Sequence, residues 1–397
     1  MIMLKRCCYI LLLLTFVATA APAAVDYYEL LEKAEAGDVE AQFSLGRMYE
    51  TGDEGYVDEY ESVKWYEMAA AQGLREAQLN LGRMYADGRG IEQDMEKAAE
   101  YYRLAAEQKQ PDAISNLAML YATGEGVEKD LAEAAKWFTM AAEYGDEEAQ
   151  YNLGVINRDG INGVKDAAAA IKYFGMAIEQ GHQKASLAAA DMYFFGEGIG
   201  QDFARAAELY KMPAENGDTR SQQQLADLFY EGKGVPQDYR QAAKWYEKVA
   251  KGGDVEAQYT LGVMYAEGQG VMKSDREALN WYRKAADQGH LEAETSMGLM
   301  YRQGRGVVQN DKTAFKWFEK AARKGEAIAQ FNLADYYLTG KGVLADLVKC
   351  YAWALLAAEQ GNSDAASALP RVEGLLDPSK VSMAKVEARK YRAGYAK

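Results

Sequence analysis

Residues 77–90 read AQLNLGRMYADGRG, and a closely similar stretch returns along the chain every 36 residues. With Ala77 taken as the start of a unit, the units begin at residues 41, 77, 113, 149, 185, 221, 257, 293 and 329, without insertion or deletion. A fixed period of this length is typical of repeat architectures. The fold should therefore follow from one unit and from the way that units stack.

The tryptophans give the strongest support for this period. All six lie 24 residues after the start of a unit, at Trp65, Trp137, Trp245, Trp281, Trp317 and Trp353. The other three units have Tyr101, Tyr173 and Leu209 at that position. Because unrelated sequence would not place every tryptophan in one register, we interpret the chain as one structural unit repeated nine times.

Each unit should form two helices. In the first, Ala77, Leu81 and Tyr85 recur at a spacing of four residues, which places them on one helix face. In the second, Ala98 and Tyr102 follow the same spacing. One helix pair cannot bury both of its apolar faces, so the units must stack to form a core.

The Gly-x-Gly pair of each unit, such as Gly88 and Gly90, lies between the two helices. The first glycine occurs in all nine units and the second in seven, the exceptions being Glu54 and Asn162. Glycine ends a helix in the left-handed conformation without a Cβ penalty, and Asp94 is placed to cap the next helix. A dinucleotide fingerprint needs a third glycine, which no unit has, so the pair does not indicate a phosphate-binding loop.

The whole pattern, A-x-x-x-L-G-x-x-Y-x-x-G-x-G-V-x-x-D-x-x-x-A-x-x-W-Y-x-x-A-A-x-x-G, resembles the Sel-one-like repeat (SLR) family, a relative of the tetratricopeptide repeats. The resemblance covers residues 41–364. It implies an all-α fold, a right-handed α-solenoid of about nine 36-residue helix-turn-helix repeats with a C-terminal capping helix. It also implies a protein-interaction scaffold or adaptor, of the cell envelope or secreted in the exported bacterial members.

The N-terminus has the pattern of a signal peptide. Lys5 and Arg6 precede an eleven-residue apolar run that is too short to span a bilayer as a helix. We therefore expect a leader at 1–23, cleaved after Ala20 or Ala23, and a periplasmic or secreted bacterial protein without stable membrane insertion after leader removal. Residues 24–40 should form an N-terminal capping helix, residues 41–364 the nine units, and residues 365–397 a C-terminal capping region.

The charge of the chain restricts its partners. The formal net charge is −15, with 60 acidic and 45 basic residues. Phosphates would be repelled by such a chain, which argues against nucleic acid and anionic membrane as partners. We expect other proteins or peptide segments as partners, with acidic ones where basic side chains cluster.

Few residues suggest catalysis or metal binding. The only histidines, His182 and His290, follow a unit-ending glycine where other units have a capping Asp or Asn, and they lie three units apart. Cys350 stands where other units have a buried alanine. The sequence therefore predicts no catalytic, cofactor or metal site. The alternative is an envelope enzyme or a binder of peptidoglycan-derived compounds, which should show catalytic residues that interrupt the repeat register.

The candidate binding surface is the first helix of each unit, which lines the concave side in solenoids of this type. Its residues three positions after the unit start are largely polar, and asparagine there offers both a donor and an acceptor to an extended peptide. Aromatic residues stand beside them, and two arginines lie at equivalent positions of the first two units. The candidate groove residues are Arg47, Asn80, Arg83, Asn116, Tyr151, Asn152, Tyr259 and Asn332.

The middle of the array departs most from the pattern. The fourth unit has Asn157 in place of the usual tyrosine. The fifth has Leu209 in place of tryptophan and Pro213 within the second helix, where proline removes a backbone hydrogen bond. We expect this part of the array to be the least regular.

Overall fold

The computed structural model describes residues 27–53, 55, 57–161 and 163–395, so the predicted leader at 1–23 lies outside the described residues. The chain divides into two compact units, residues 1–156 and 157–397. The described residues form 21 helices, and their only β-type pairing is a single bridge between Ile161 and Val164.

The helices are almost all 13 residues long. Those that begin in the first unit are α1 (Tyr27–Glu35), α2 (Val39–Thr51), α3 (Glu59–Ala71), α4 (Arg75–Asp87), α5 (Met95–Glu107), α6 (Pro111–Thr123), α7 (Leu131–Glu143) and α8 (Glu147–Asp159). Those of the second unit are α9 (Ala167–Glu179), α10 (Gln183–Phe195), α11 (Phe203–Glu215), α12 (Thr219–Glu231), α13 (Tyr239–Lys251), α14 (Val255–Glu267), α15 (Asp275–Asp287), α16 (Leu291–Gln303), α17 (Asp311–Ala322), α18 (Ala327–Thr339), α19 (Leu347–Glu359), α20 (Ser363–Glu373) and α21 (Pro378–Ala393).

Helices α2 to α19 are the two helices of nine successive repeats. Within each compact unit the helices of one repeat pack together, as α4 does with α5, and the second helix also packs on the first helix of the next repeat, as α3 does with α4. The predicted all-α repeat fold is confirmed. None of the described helices combines the length and the apolar character that a membrane span requires.

The first glycine of each Gly-x-Gly pair ends the first helix, as predicted. Gly88 has φ 69°, and its N–H donates to the carbonyl oxygen of Met84. Asp94 then caps α5, where its carboxylate accepts a hydrogen bond from the N–H of Lys97 at 3.0 Å. Both interactions are local, so the 13-residue helices end and begin at residues that the sequence itself marks.

The second glycine of the pair is required by the neighbouring repeat. A Cβ built on Gly90 would lie 2.2 Å from the carbonyl oxygen of Glu59, at the start of the preceding second helix. The corresponding distance from Gly270 to the carbonyl oxygen of Tyr239 is 2.0 Å. A side chain at either glycine would therefore push two successive repeats apart.

A glutamine in the first helix links successive repeats. In α4, Nε2 of Gln78 donates to the carbonyl oxygen of Ala70 at 3.3 Å, and its Oε1 accepts from Gln108 at 2.8 Å. The bond to Ala70 pairs one of the carbonyl groups that a helix C-terminus leaves without an intrahelical partner. In the eighth repeat the pair of glutamines is replaced by Glu294 and Lys324, whose charged groups are 2.6 Å apart.

Helix α11 continues through Pro213 without a break. Proline has no N–H to donate to the carbonyl oxygen of Leu209, four residues earlier. That oxygen instead accepts a hydrogen bond from the hydroxyl of Ser186 in α10, at 2.7 Å. Most other repeats have glutamine at the position of Ser186. The fifth repeat thus compensates for its proline with a substitution in its own first helix.

Replacing Ser186 with alanine should lower the free energy of unfolding by about 1–2 kcal/mol, because it leaves the Leu209 carbonyl without its partner. Replacing Pro213 with alanine supplies the missing N–H. In the presence of Pro213→Ala, the effect of Ser186→Ala should therefore fall to about half or less. A double-mutant cycle by urea unfolding measures this coupling, and strictly additive effects would contradict the compensation.

Candidate functional site

The first-helix face comprises, in each repeat, the residues two, three and six positions after the unit start. In the first compact unit it contains Arg47 on α2, Asn80 and Arg83 on α4, Asn116 on α6, and Tyr151 and Asn152 on α8. In the second compact unit it contains Tyr259 on α14 and Asn332 on α18. The structure therefore distributes the predicted groove residues over the two units.

A chain of hydrogen bonds fixes Asn80. Its Nδ2 donates to the hydroxyl of Tyr66 at 3.1 Å, and that hydroxyl donates to Oε2 of Glu50 at 2.7 Å. The other carboxylate oxygen of Glu50 accepts from Arg89 at 2.9 Å. Burial, followed by the hydrogen bond to Glu50, raises the pKa of Tyr66 above its usual range. Asn80 therefore holds a neutral, buried tyrosine, and only part of its hydrogen-bonding capacity remains for a partner.

Arg83 forms an ion pair with Asp112, at 2.6 Å, across two successive first helices. The side chain of Arg83 is 41% exposed and that of Asp112 is 60% exposed, so the pair is weak and open to competition. The sequence contained a signal for it, since Arg83 is six residues after one unit start and Asp112 is one residue before the next. Asp191 and Arg220 form an ion pair at the same two positions with the charges exchanged, at 2.9 Å.

Arg47 differs from Arg83 although the two occupy equivalent positions. The corresponding acidic residue of the next repeat is Glu76, which pairs instead with its neighbour Arg75 at 2.8 Å. This ion pair lowers the pKa of Glu76. Arg47 is exposed, and no carboxylate in the described part of the chain lies within ion-pairing distance of it. It is therefore an available cation on the first-helix face.

In the second unit, Tyr259 belongs to an aromatic and acidic cluster. Its ring stacks on His290 with centroids 4.4 Å apart, and Nε2 of His290 lies 3.2 Å from a carboxylate oxygen of Glu256. Burial, followed by the charge of Glu292, raises the pKa of Tyr259. Nδ1 of His290 accepts a hydrogen bond from the N–H of Ala293 at 3.2 Å. His290 therefore caps α16, as its position after a repeat-ending glycine predicts.

Asn332 is buried and has partners within the chain on both polar atoms. Its Oδ1 accepts from Arg302 at 2.7 Å, and its Nδ2 donates to the carbonyl oxygen of Ile328 at 2.8 Å. It positions Arg302, which also pairs with Asp335 at 3.2 Å. At this place Arg302, rather than Asn332, is presented to solvent.

The remaining candidates for chemistry take structural positions. Nδ1 of His182 accepts the N–H of Ala185 at 3.0 Å and caps α10. Cys350 is buried, and that burial raises the pKa of its thiol to about 12. Within the described ranges, no three His, Cys, Asp or Glu side chains are grouped as a metal site would need.

Comparisons with known proteins agree with this architecture. The Sel1 repeat model matches residues 39–74, 75–109, 111–146, 147–182, 184–218, 219–254, 255–290, 291–326 and 327–362. The chain is 30% identical to a protective antigen of uropathogenic Escherichia coli strains with an SLR fold, covering 94% of this chain and 96% of that one with a TM-score of 0.53. A Sel1 repeat protein from Oxalobacter formigenes is 29% identical, covering 66% and 97% with a TM-score of 0.43. The comparison with curated proteins finds no match.

Sel1 and tetratricopeptide-like repeat folds are typical of protein–protein interaction scaffolds, and the family is generally non-enzymatic. Nine successive matches of the family model cover most of the 397 residues. The E. coli antigen adds a likeness over nearly the full length of both chains. The chain therefore belongs to the Sel1 repeat family.

Proposed function

We propose that this protein is an exported, non-enzymatic adaptor that binds a carboxylate-bearing segment of a partner protein. The binding surface is the first-helix face of the first two repeats. The N-terminal pattern of residues 1–23 supports export to the periplasm or to the secreted fraction of a bacterium. The repeat fold supports a protein partner.

The observation that carries this proposal is the exposed guanidinium of Arg47, which has no carboxylate partner in the described residues. The protein as a whole has a net charge of −15, and Arg47 is a local positive charge on this face. The neighbouring Arg83 shares its charge only with Asp112, in a weak exposed pair. Carboxylates of a partner segment can therefore form charge-assisted hydrogen bonds to the two arginines.

The surroundings of these arginines support a preformed site. Tyr66 is fully buried and is hydrogen-bonded to Glu50 and to Asn80. Phe43 packs beside Tyr66, with ring centroids 5.8 Å apart. A fixed base of this kind reduces the entropy lost when a peptide binds, which favours recognition of an extended segment.

Replacing Arg47 and Arg83 together with glutamate should abolish capture of the natural partner from an envelope extract of the producing cells. The two substitutions reverse the only predicted contacts to the partner carboxylates, and neither arginine belongs to the apolar core. Quantitative mass spectrometry of the captured proteins, at low and at high salt, measures the loss. Capture by the wild-type protein should also fall as salt rises.

The matched control reverses two charges on second helices of the same unit, with Lys64→Glu and Lys136→Glu. Both lysines are exposed and form ion pairs within their own helices, with Glu61 and Glu133. The control changes the net charge by the same amount and should retain capture. If the arginine variant and the lysine variant lose the same partner equally, overall charge rather than the first-helix face governs binding, and the proposal fails.

A further inference from the structure

Three positions where the fourth and fifth repeats meet carry unusually small side chains. Ala189, four residues after the unit start, stands where the other eight repeats have leucine or methionine. Leu209 stands where the other repeats have tryptophan or tyrosine. Gly175, in the second helix of the fourth repeat, is the only glycine at its position among the nine repeats.

In six other repeats the position of Leu209 holds a tryptophan, and Trp65 and Trp281 show where such a side chain packs. Trp65 packs against a core cluster that contains Leu45, of its own first helix, and Ala34, of the preceding helix. Trp281 lies in one core cluster with Leu261 of its own first helix and with residues of α13. Each of these tryptophans thus shares a hydrophobic core with the first helix of its own repeat and with the helix before that one.

The fifth repeat has a cavity at this place. It has a volume of about 570 Å³, opens to solvent and lies between α9, α10 and α11. We call it the repeat-five pocket; its lining includes Ile171, Gly175, Ile178, Ala189, Tyr193 and Leu209. A Cβ built on Gly175 would meet no atom within 4 Å. The volume is within the range of ligand pockets, about 300–1,000 Å³.

The charges at the rim of the repeat-five pocket are not balanced. Arg205 is held on one side, where it donates to the hydroxyl of Tyr193 at 3.0 Å and pairs with Asp202 at 3.4 Å. Glu179 and Glu208 also border the pocket and are exposed. Glu208 has only a loose exposed pair with a lysine of its own helix, at 3.7 Å. The rim therefore favours a positively charged neighbour beside an apolar ligand.

We propose that the repeat-five pocket receives a tryptophan side chain of a partner protein, flanked in the partner by a basic residue. The indole would take the place that the chain's own tryptophan takes in six other repeats, and the basic residue would meet Glu179 and Glu208. Buried aromatic anchors of this kind dominate the energetics of many protein interfaces. The pocket lies in the second compact unit, and its lining residues on α10, Ala189 and Tyr193, are not at the positions of the first-helix face, so the proposal does not depend on that face.

L-Tryptophanamide, which carries an indole and a positive charge, is a suitable probe. Titration into methyl-labelled protein should shift the NMR signals of Ile171, Ile178 and Leu209, with a Kd on the order of 1 mM. L-Alaninamide should cause no such shift, and the anionic N-acetyl-L-tryptophan should bind several-fold more weakly. Absence of the shifts with L-tryptophanamide would overturn the claim that the pocket binds an indole. Equal binding of the anionic probe would overturn the claim that a basic residue flanks the tryptophan.

The variant Leu209→Trp tests the same pocket by filling it with a side chain of the protein itself. Because six repeats have tryptophan at this position, the variant should fold, raise the melting temperature and reduce binding of L-tryptophanamide by about tenfold or more. The methyl signals of Ile171 and Ile178 remain available to measure this loss. Undiminished binding by the variant would overturn the proposal.

Binding of a short peptide distinguishes a pocket for a protein segment from a pocket for a small molecule. A capped Gly-Lys-Trp-Lys-Gly peptide should bind at least as tightly as L-tryptophanamide and should compete with it for the same methyl shifts. The matching peptide with alanine in place of tryptophan should not bind. If the tryptophan peptide binds more weakly than the free amide, the assignment to a protein segment fails.

Discussion

Replacing Gly270 with alanine should lower the free energy of unfolding by about 3–4 kcal/mol, which is the largest effect we expect from a single methyl group in this protein. Part of this cost, about 1–2 kcal/mol, arises because Gly270 has φ 70°, a conformation that disfavours a Cβ. The rest arises because that Cβ would lie 2.0 Å from the carbonyl oxygen of Tyr239 and would separate two repeats.

Gly268→Ala is the matched control for this prediction. Gly268 lies in the same turn with φ 78°, but the atom nearest to its added Cβ is the Cβ of Lys273 at 3.2 Å, which belongs to a surface side chain. It should therefore show the conformational cost alone. Urea unfolding, combined with hydrogen exchange of the amides in α13 to α15, measures both variants. Equal losses of unfolding free energy in the two variants would show that contact between repeats is not the reason for glycine at the second position.

The second large effect on stability should come from replacing Gly262, which lies within the first helix of its repeat. A Cβ on Gly262 would lie 2.6 Å from the ring of Tyr282, which is buried. Gly262→Val should lower the free energy of unfolding by about 3 kcal/mol, because the ring cannot move away without opening the helix pair. Gly262→Ala should cost only about 1 kcal/mol, since four other repeats have alanine at this position.

Gly175→Ala is the corresponding control, because Gly175 is also helical but an added Cβ there meets open space. Alanine should stabilise that helix by about 0.5–1 kcal/mol through its higher helix propensity. The two glycines should thus respond with opposite signs in thermal unfolding. A loss of stability in Gly175→Ala would contradict the open pocket beside it.

The candidate site could be predicted only in part. The asparagine and arginine positions on the first helices follow from the repeat register, and the structure places all eight predicted residues on those helices. The register does not reveal which side chains are already paired. Asn332 is buried against Arg302, and Arg83 is paired with Asp112, whereas Arg47 is available because Arg75 engages Glu76. These differences depend on distances between side chains of neighbouring repeats.

The repeat-five pocket shows the same division between sequence and structure. The substitutions Leu209 and Pro213 are visible in the sequence and suggest irregular packing. The structure shows that the helix is kept, because Ser186 pairs with the carbonyl group that proline leaves free. It also shows that the smaller side chains leave a cavity rather than a collapsed interface.

The sequence by itself determined the repeat length, the two helices of each unit, and the glycine and aspartate that end and begin them. These features depend on interactions within about ten residues, such as the bond from Gly88 to Met84 and the cap at Asp94. Only the tertiary structure decided why Gly270 must lack a side chain, which arginine is available, and where a tryptophan could enter. Each of these depends on how closely two repeats approach, and that distance is set by packing across the stack, not by local conformation.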